Sequence, residues 1–407
     1  MQKYGGTSVA DPARIKAVAE HIVATRHDGH DVVVVVSAMG KTTDDLERLA
    51  HQVSAAPSMR EMDMLLTAGE RISIALLCMA IIDLGEPAVS FTGSQAGILT
   101  DTTHGKAKIV DVRADRLREA VVDGSVAVVA GFQGVSTASD ITTLGRGGSD
   151  TTAVALGAAL GADVCEIYTD VAGVFTADPR IVPGARKLSR ITYEEMLDLA
   201  ATGGRVLALR SVEFARNHDV PVHVRSSFTW DPGTWVQSTP ELEDAAMEQA
   251  TISGVTHDIS EAKVTIERVP DRPGIAAVVF RALADESVNV DMIVQNVSTA
   301  GHTDISFTMP REDLSRAKKV MEHLVEDVEA SGFTSDDGVG RVSLVGAGMK
   351  THPGVAATMF ESLAAAGVNI EMISTSSIRI SCVVAEADVE RAVRVLHDAF
   401  DLGEESS

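Results

Sequence analysis

A chain of 407 residues exceeds what one hydrophobic core usually supports, and 45% hydrophobic with 23% charged residues is ordinary globular composition, so at least two domains are expected. The formal net charge of -23 and pI near 4.8, with no basic tract, exclude nonspecific binding to nucleic acid or to an anionic membrane surface. An anionic ligand therefore needs a locally positive site.

Cys78, Cys165 and Cys382 lie far apart in apolar stretches and share no metal-ligand spacing, which predicts buried thiols in a reducing compartment. The amino terminus lacks the positive-then-apolar signature of a signal peptide, and no apolar run approaches the roughly 20 residues that span a bilayer. A cytoplasmic location is expected, with no membrane partner.

In chain order, KYGGTSV (3–9) places Lys3 at the end of a very short strand, before a glycine turn that leads into a helix over 11–26. VVVVV (32–36), VAVVA (126–130) and VCEIYT (164–169) are continuous apolar runs rich in β-branched residues, the pattern of strands covered on both faces. Helical patterns fall between them at 61–83, 111–122 and 150–160. This alternation persists through residue 225 and predicts an α/β layered domain with a largely parallel sheet, whose ligands sit at the carboxyl ends of the strands. WDPGTW (230–235) and the acidic STPELEDAAMEQ (238–249) mark a linker. Beyond it PGIAAVVFRALADESVNVDMI, from Pro273, recurs as PGVAATMFESLAAAGVNIEMI, from Pro353, which predicts a tandem of small α+β modules.

Two glycine-rich loops carry the candidate chemistry. In TTLGRGGSDTTAVALG (142–157), Ser149 and Asp150 stand where a helix begins and either could cap it. The same loop could instead receive an anion on free amides, with Arg146 clamping a carboxylate or phosphate through two hydrogen bonds. KYGGTSV reads either as a capped strand-to-helix turn or as a phosphate loop with Lys3 as a compact charge. Neither a P-loop nor a dinucleotide fingerprint after the first strand is present; GAGMKT (346–351) has the wrong spacing.

KYGGTSV, VVVVVSAMGKTTDDL, MLLTAGERIS, SFTGSQAGILT, TTLGRGGSDTTAVAL and YTDVAGVFTADPRIV together resemble the aspartokinases of the amino acid kinase family, and both repeats resemble ACT modules. The resemblance covers nearly the whole chain and is strongest to the actinobacterial type inhibited jointly by lysine and threonine. It implies an amino acid kinase domain over 1–229, a linker over 230–250, and ACT modules over 251–332 and 333–407. The implied reaction is phosphoryl transfer from ATP, with Mg²⁺ held through the ATP phosphates, to L-aspartate, giving 4-phospho-L-aspartate and ADP.

The same resemblance implies residue roles. Lys3 contacts the transferring phosphate, Asp150 positions Lys3 or the metal-bound phosphate, and Tyr4, Gly5 and Gly6 belong to the nucleotide loop. Tyr168, Thr169, Asp170, Phe175, Thr176, Ala177, Asp178, Pro179 and Arg180 surround the nucleotide, and Arg205 replaces a frequent lysine facing it. Ser37, Thr43, Glu70, Arg146 and Ser149 match positions that hold aspartate: Arg146 suits its α-carboxylate and Glu70 its ammonium. Beside KYGGTSV and TADPR, which account better for the nucleotide, the 142–157 loop reads as the acceptor side.

In the first module, effector contacts are implied for Asp271, Gly274, Ile275, Ala276, Asn289, Val290, Asp291 and Gln295. In the second they are implied for Val355, Ala356, Asn369, Ile370 and Ser376, with threonine and lysine as the ligands. An oligomer is expected, either of one chain or of the α2β2 kind with a regulatory subunit begun near Met247. The sequence departs from the family at Ser377, where glutamate is usual, in its short first strand, and at DLGEESS, which lacks the last apolar strand. The competing readings are a kinase of another amino-acid acceptor and a non-catalytic amino-acid sensor.

Overall fold

The computed structural model describes the chain except residues 205, 230, 239–250, 297–300, 348, 350, 351, 353 and 404–407. It forms two compact units. Unit one comprises Met1–Val174, Lys187–Ala200 and Arg205–Asp244; unit two comprises Phe175–Arg186, Ala201–Gly204 and Ala245–Ser407.

Unit one begins β1 (Gln2–Tyr4), α1 (Pro12–His27), β2 (Val33–Val36), α2 (Thr42–Val53), α3 (Met59–Leu66) and α4 (Ala68–Asp83). It continues β3 (Ala88–Phe91), β4 (Ile98–Thr100), β5 (Ile109–Val112), α5 (Asp115–Val122), β6 (Val126–Ala130), β7 (Gln133–Ser136) and β8 (Ile141–Thr143). Then follow α6 (Gly148–Leu160), β9 (Cys165–Thr169), β10 (Arg190–Thr192), α7 (Tyr193–Ala201), α8 (Leu209–Asn217), β11 (Val222–Ser226) and β12 (Thr234–Gln237). The main sheet runs β10-β12-β11-β9-β1-β2-β6-β3, parallel from β11 to β3, while β5-β4-β7-β8 form a small second sheet. Every residue of β2 and β6 is buried, as continuous apolar strands require. Ile15, Val18 and Ile22 of α1 and Ile74, Leu77 and Ile81 of α4 pack on Val34, Val36 and Val128.

The expected helix over 61–83 is two helices meeting at Thr67, whose hydroxyl donates back to the Met64 carbonyl, a bond that bends helices. The run Met59–Asp83 is long and apolar enough by composition to cross a bilayer, contrary to the expectation that no run is. One face of α4, from Gly69 to Ile81, is instead buried in this unit. The helix expected from 111 starts at Asp115, because the β-branched IVDV pairs as β5 with β4. Cys78, Cys165 and Cys382 are buried free thiols.

Unit two adds β13 (Thr251–Asp258), β14 (Glu261–Pro270), α9 (Ile275–Asp285), β15 (Ile293–Gln295), β16 (His302–Pro310) and α10 (Leu314–Asp327). It ends β17 (Gly332–Asp336), β18 (Val339–Ala347), α11 (Val355–Ala365), β19 (Met372–Thr375), β20 (Arg379–Ala385) and α12 (Val389–Ala399). Its sheets are β15-β16-β14-β17 and β13-β18-β20-β19. Two strands cross the expected module boundary. β13 pairs antiparallel with β18, Val255 opposite Leu344, whereas β17 pairs with β14 of the first module. The second sheet thus takes its edge strand, β13, from upstream of the first repeat.

Candidate active site

β1, β2, β6, β9 and β11 run parallel, so the loops after Tyr4, Val36, Ala130, Thr169 and Ser226 gather at one edge of the sheet. Their backbones lock together there: Gly5 N–H donates to Tyr168 O at 3.3 Å, Ser37 N–H to Tyr4 O at 3.1 Å and Gly131 N–H to Val36 O at 3.0 Å. A cavity of about 1130 Å³ lined by Met1, Gln2, Val33 and Val164 opens at the opposite, amino edge.

Lys3 sits on the central strand, flanked by Val35 and Ile167, with its ammonium nitrogen 2.6 Å from Asp150 Oδ1. The ammonium lies against Gly5, where a Cβ would stand 3.4 Å from it. A Cβ on Gly6 would come within 2.9 Å of the Ala38 carbonyl, so only glycine lets this loop touch the one after β2. The rings of Tyr4 and Tyr168 stack at 4.7 Å inside the core, their hydroxyls toward His21. Burial pushes both phenols well above their usual range, so they are neutral. Only their backbones belong to the loop edge.

Neither Ser149 nor Asp150 caps α6. Gly147, at φ 72, is the N-cap, and both residues lie inside the first turn, where the Asp150 carboxylate turns to Lys3 instead of to free amides. Ser149 is buried with its hydroxyl against Gly131, whose Cβ would meet it at 2.7 Å. Arg146 is exposed.

Glu70 is buried in the first turn of α4. Its Oε1 accepts from the Ala38 N–H at 3.2 Å, while Oε2 is buried without a partner. Burial pushes this carboxyl up to about 7, and backbone N–H groups of Glu70 and Ala38 offset only part of that. A buried carboxylate oxygen left open in this way is suited to a cationic ligand group. Ser37 and Thr43 are half-buried on either side of the Ala38–Lys41 turn. Thr169 donates to its neighbour Asp170 at 3.1 Å.

The residues from Phe175 to Arg180 are placed in unit two. Thr176 is buried, its hydroxyl bonded to His397 Nε2 at 3.0 Å and to the Leu402 carbonyl at 2.9 Å, while Phe175 and Ala177 pack into the core built on β18 and β20. Asp178, just before Pro179, is held below the usual carboxylate range by its hydrogen bond from Arg180. Arg205 lies outside the described residues.

A family model described as the amino acid kinase family matches residues 2–226, and an ACT domain model matches 264–324 and 342–400. The aspartokinase of Mycolicibacterium smegmatis is 60% identical over 99% of this chain and 96% of its own length. That of Corynebacterium glutamicum is 58% identical over 100% and 96%. The chain belongs to the aspartokinases of the amino acid kinase family. Among solved aspartokinases, Escherichia coli aspartokinase III in complex with aspartate and ADP superposes with a TM-score of 0.81 at 25% identity, over 98% of this chain and 99% of that one.

In the ACT portion of this aspartokinase chain, Gly274 and Gly354, at φ 99 and 118, open α9 and α11 in equivalent places. Asp271, Asn289 and Gln295 are exposed, Ile275 is buried and Ala276 and Val290 are partly so. In the second module Val355, Ala356 and Ile370 pack partly into the core, and Asn369 and Ser376 are exposed. Asp291 was expected to face an effector, yet its carboxylate is paired with Arg341, a fully buried guanidinium that also binds Glu261 at 2.7 Å and the Ala201 carbonyl at 3.0 Å. Sequence reasoning missed Arg341, which stands in an apolar strand pattern with no local sign of carboxylate partners 50 and 80 residues upstream. Pro353, Met247 and most of the expected linker lie outside the described residues.

Proposed function

We propose that this chain transfers the γ-phosphoryl group of ATP to the side-chain carboxylate of L-aspartate, at the edge where the carboxyl ends of β1, β2, β6 and β9 meet. The observation that carries the reading is the Lys3–Asp150 pair on the central strand. The acceptor carboxylate has a reference pKa of about 3.9, so it is ionised at neutral pH and no general base is required. Catalysis then consists of holding two anions together and neutralising the phosphoryl group as it moves.

Lys3 supplies a compact positive charge, and Asp150 holds that charge in place. The exposed Arg146 takes the α-carboxylate of aspartate through its fork, the open Glu70 oxygen takes the ammonium, and Ser37, Thr43 and Ser149 add hydroxyl contacts. Gly5, Gly6, Thr169 and Asp170 serve the nucleotide. Mg²⁺ would add positive charge on the ATP phosphates, where Asp150 would steady Lys3 or the metal-bound phosphate. The ACT modules take threonine and lysine as effectors, in a cytoplasmic oligomer. Incubation with Mg²⁺-ATP and, in parallel, aspartate, glutamate or acetylglutamate tests the acceptor. ADP release dependent on aspartate alone is expected; equal release with glutamate contradicts the reading.

A further inference from the structure

The loop that carries Arg146 is pinned by two residues from outside it. On one side Asp63 of α3, fully buried, accepts from the Thr143 hydroxyl and from His104 Nδ1, each at 2.6 Å, and from the Gly105 N–H at 3.1 Å. Thr143 in turn accepts the Ala107 N–H at 2.9 Å, so strand β8 and the 104–107 turn are tied together.

On the other side stands Arg210 of α8. One guanidinium nitrogen donates to Leu144 O at 3.1 Å and the other to Ala107 O at 2.9 Å. Burial lowers its pKa, partly offset by Asp101 and Glu213, neither of which forms an ion pair with it among the described residues, and its fork is given to two backbone carbonyls. The loop also packs closely on the start of α8: a Cβ on Gly147 would come within 2.3 Å of Ala208 Cβ, one residue before that helix. Leu144 is two residues from Arg146.

We propose that Arg210 is a positioning residue for acceptor recognition, bridging the Leu144 and Ala107 carbonyls so that Arg146 is presented in one orientation. This rests on the reading of Arg146 as the aspartate-binding group. A planar fork with two parallel N–H donors reaches both carbonyls at once, whereas a lysine ammonium is a point donor on a flexible stem. Small displacements of a substrate-holding group weaken binding of that substrate and leave a remote one untouched.

Initial rates of full-length wild type, R210A, R210K and R146A are measured with aspartate and ATP varied in turn, folding being checked by circular dichroism. In R210A and R210K the KM for aspartate is expected to rise about tenfold, with the KM for ATP within about twofold of wild type. Ethylguanidinium added to R210A is expected to recover much of the aspartate KM, which a merely structural defect would not show. An unchanged aspartate KM in folded R210A or R210K, beside a raised one in R146A, overturns the positioning role alone. Parallel rises in both KM values overturn it as well. An unchanged aspartate KM in R146A overturns the acceptor reading beneath it.

Discussion

The ammonium of Lys3 lies 2.6 Å from Asp150 Oδ1, joining the end of the central strand to the first turn of α6. This contact fixes a single positive charge at the place where strand ends gather. Replacing Lys3 by Ala removes that charge, and turnover should fall about 10²- to 10³-fold. Asp150→Asn should lower turnover less, because it loosens the charge without deleting it. Steady-state rates with circular dichroism as a folding control check both, and near-normal turnover in Lys3→Ala refutes the role given to it.

Glu70 gives a pH signature. Its folded pKa of about 7 exceeds the reference 4.5, so the folded protein holds a proton that the unfolded chain has already lost between those values. The stability this contributes is present in full below about 4.5 and is lost as pH rises through 7, up to about 3 kcal/mol. Glu70→Gln should therefore be more stable than wild type at pH 8, by thermal denaturation. It should also bind aspartate poorly at pH 8, and its KM should lack the rise that wild type shows as pH falls below 7. A wild-type aspartate KM that is flat from pH 6 to 8 contradicts the assignment.

β13 completes the second ACT sheet, and Val255 on it is 1% exposed. Val255→Ala should destabilise the protein by about 2 kcal/mol. A chemical denaturation series reads this directly; no loss of stability would mean that β13 is not an integral strand of that sheet.

Much of this was legible in the sequence because the site is built from backbone turns at strand ends. Glycines such as Gly5 and Gly6 and the buried runs of β2 and β6 carry their conformational demands locally. The strand exchange was not legible: TISGVTHD shows strand character but nothing in it names β18 as its partner, and FTSD of β17 is equally silent. Asp63, Arg210 and Arg341 escaped for the same physical reason. Their partners are carbonyls, hydroxyls or carboxylates brought close only by the fold, and as single residues each reads as an ordinary helix or strand charge. Nothing local in TADPR marks Thr176 as buried against His397.

The effector sites yield two predictions. Asp291 is exposed on the first module with its carboxylate paired to Arg341, so Asp291→Ala tests the proposed effector contact while leaving Arg341 its bond to Glu261. The threonine concentration for half inhibition should rise about tenfold, with basal turnover near wild type. Ser377→Glu, placing a carboxylate at an exposed position, should sharpen inhibition by lysine. Inhibition curves with threonine, lysine and both together check these; unchanged curves in both variants remove Asp291 and position 377 from effector binding.

The most direct test of the account is to trap the product. Wild type and Lys3→Ala are incubated with Mg²⁺-ATP, L-aspartate and hydroxylamine, and the hydroxamate is identified by mass spectrometry beside ADP. The account predicts aspartate hydroxamate formed in step with ADP by the wild type and nearly abolished in Lys3→Ala. ADP release independent of aspartate, or no hydroxamate from the wild type, would contradict it.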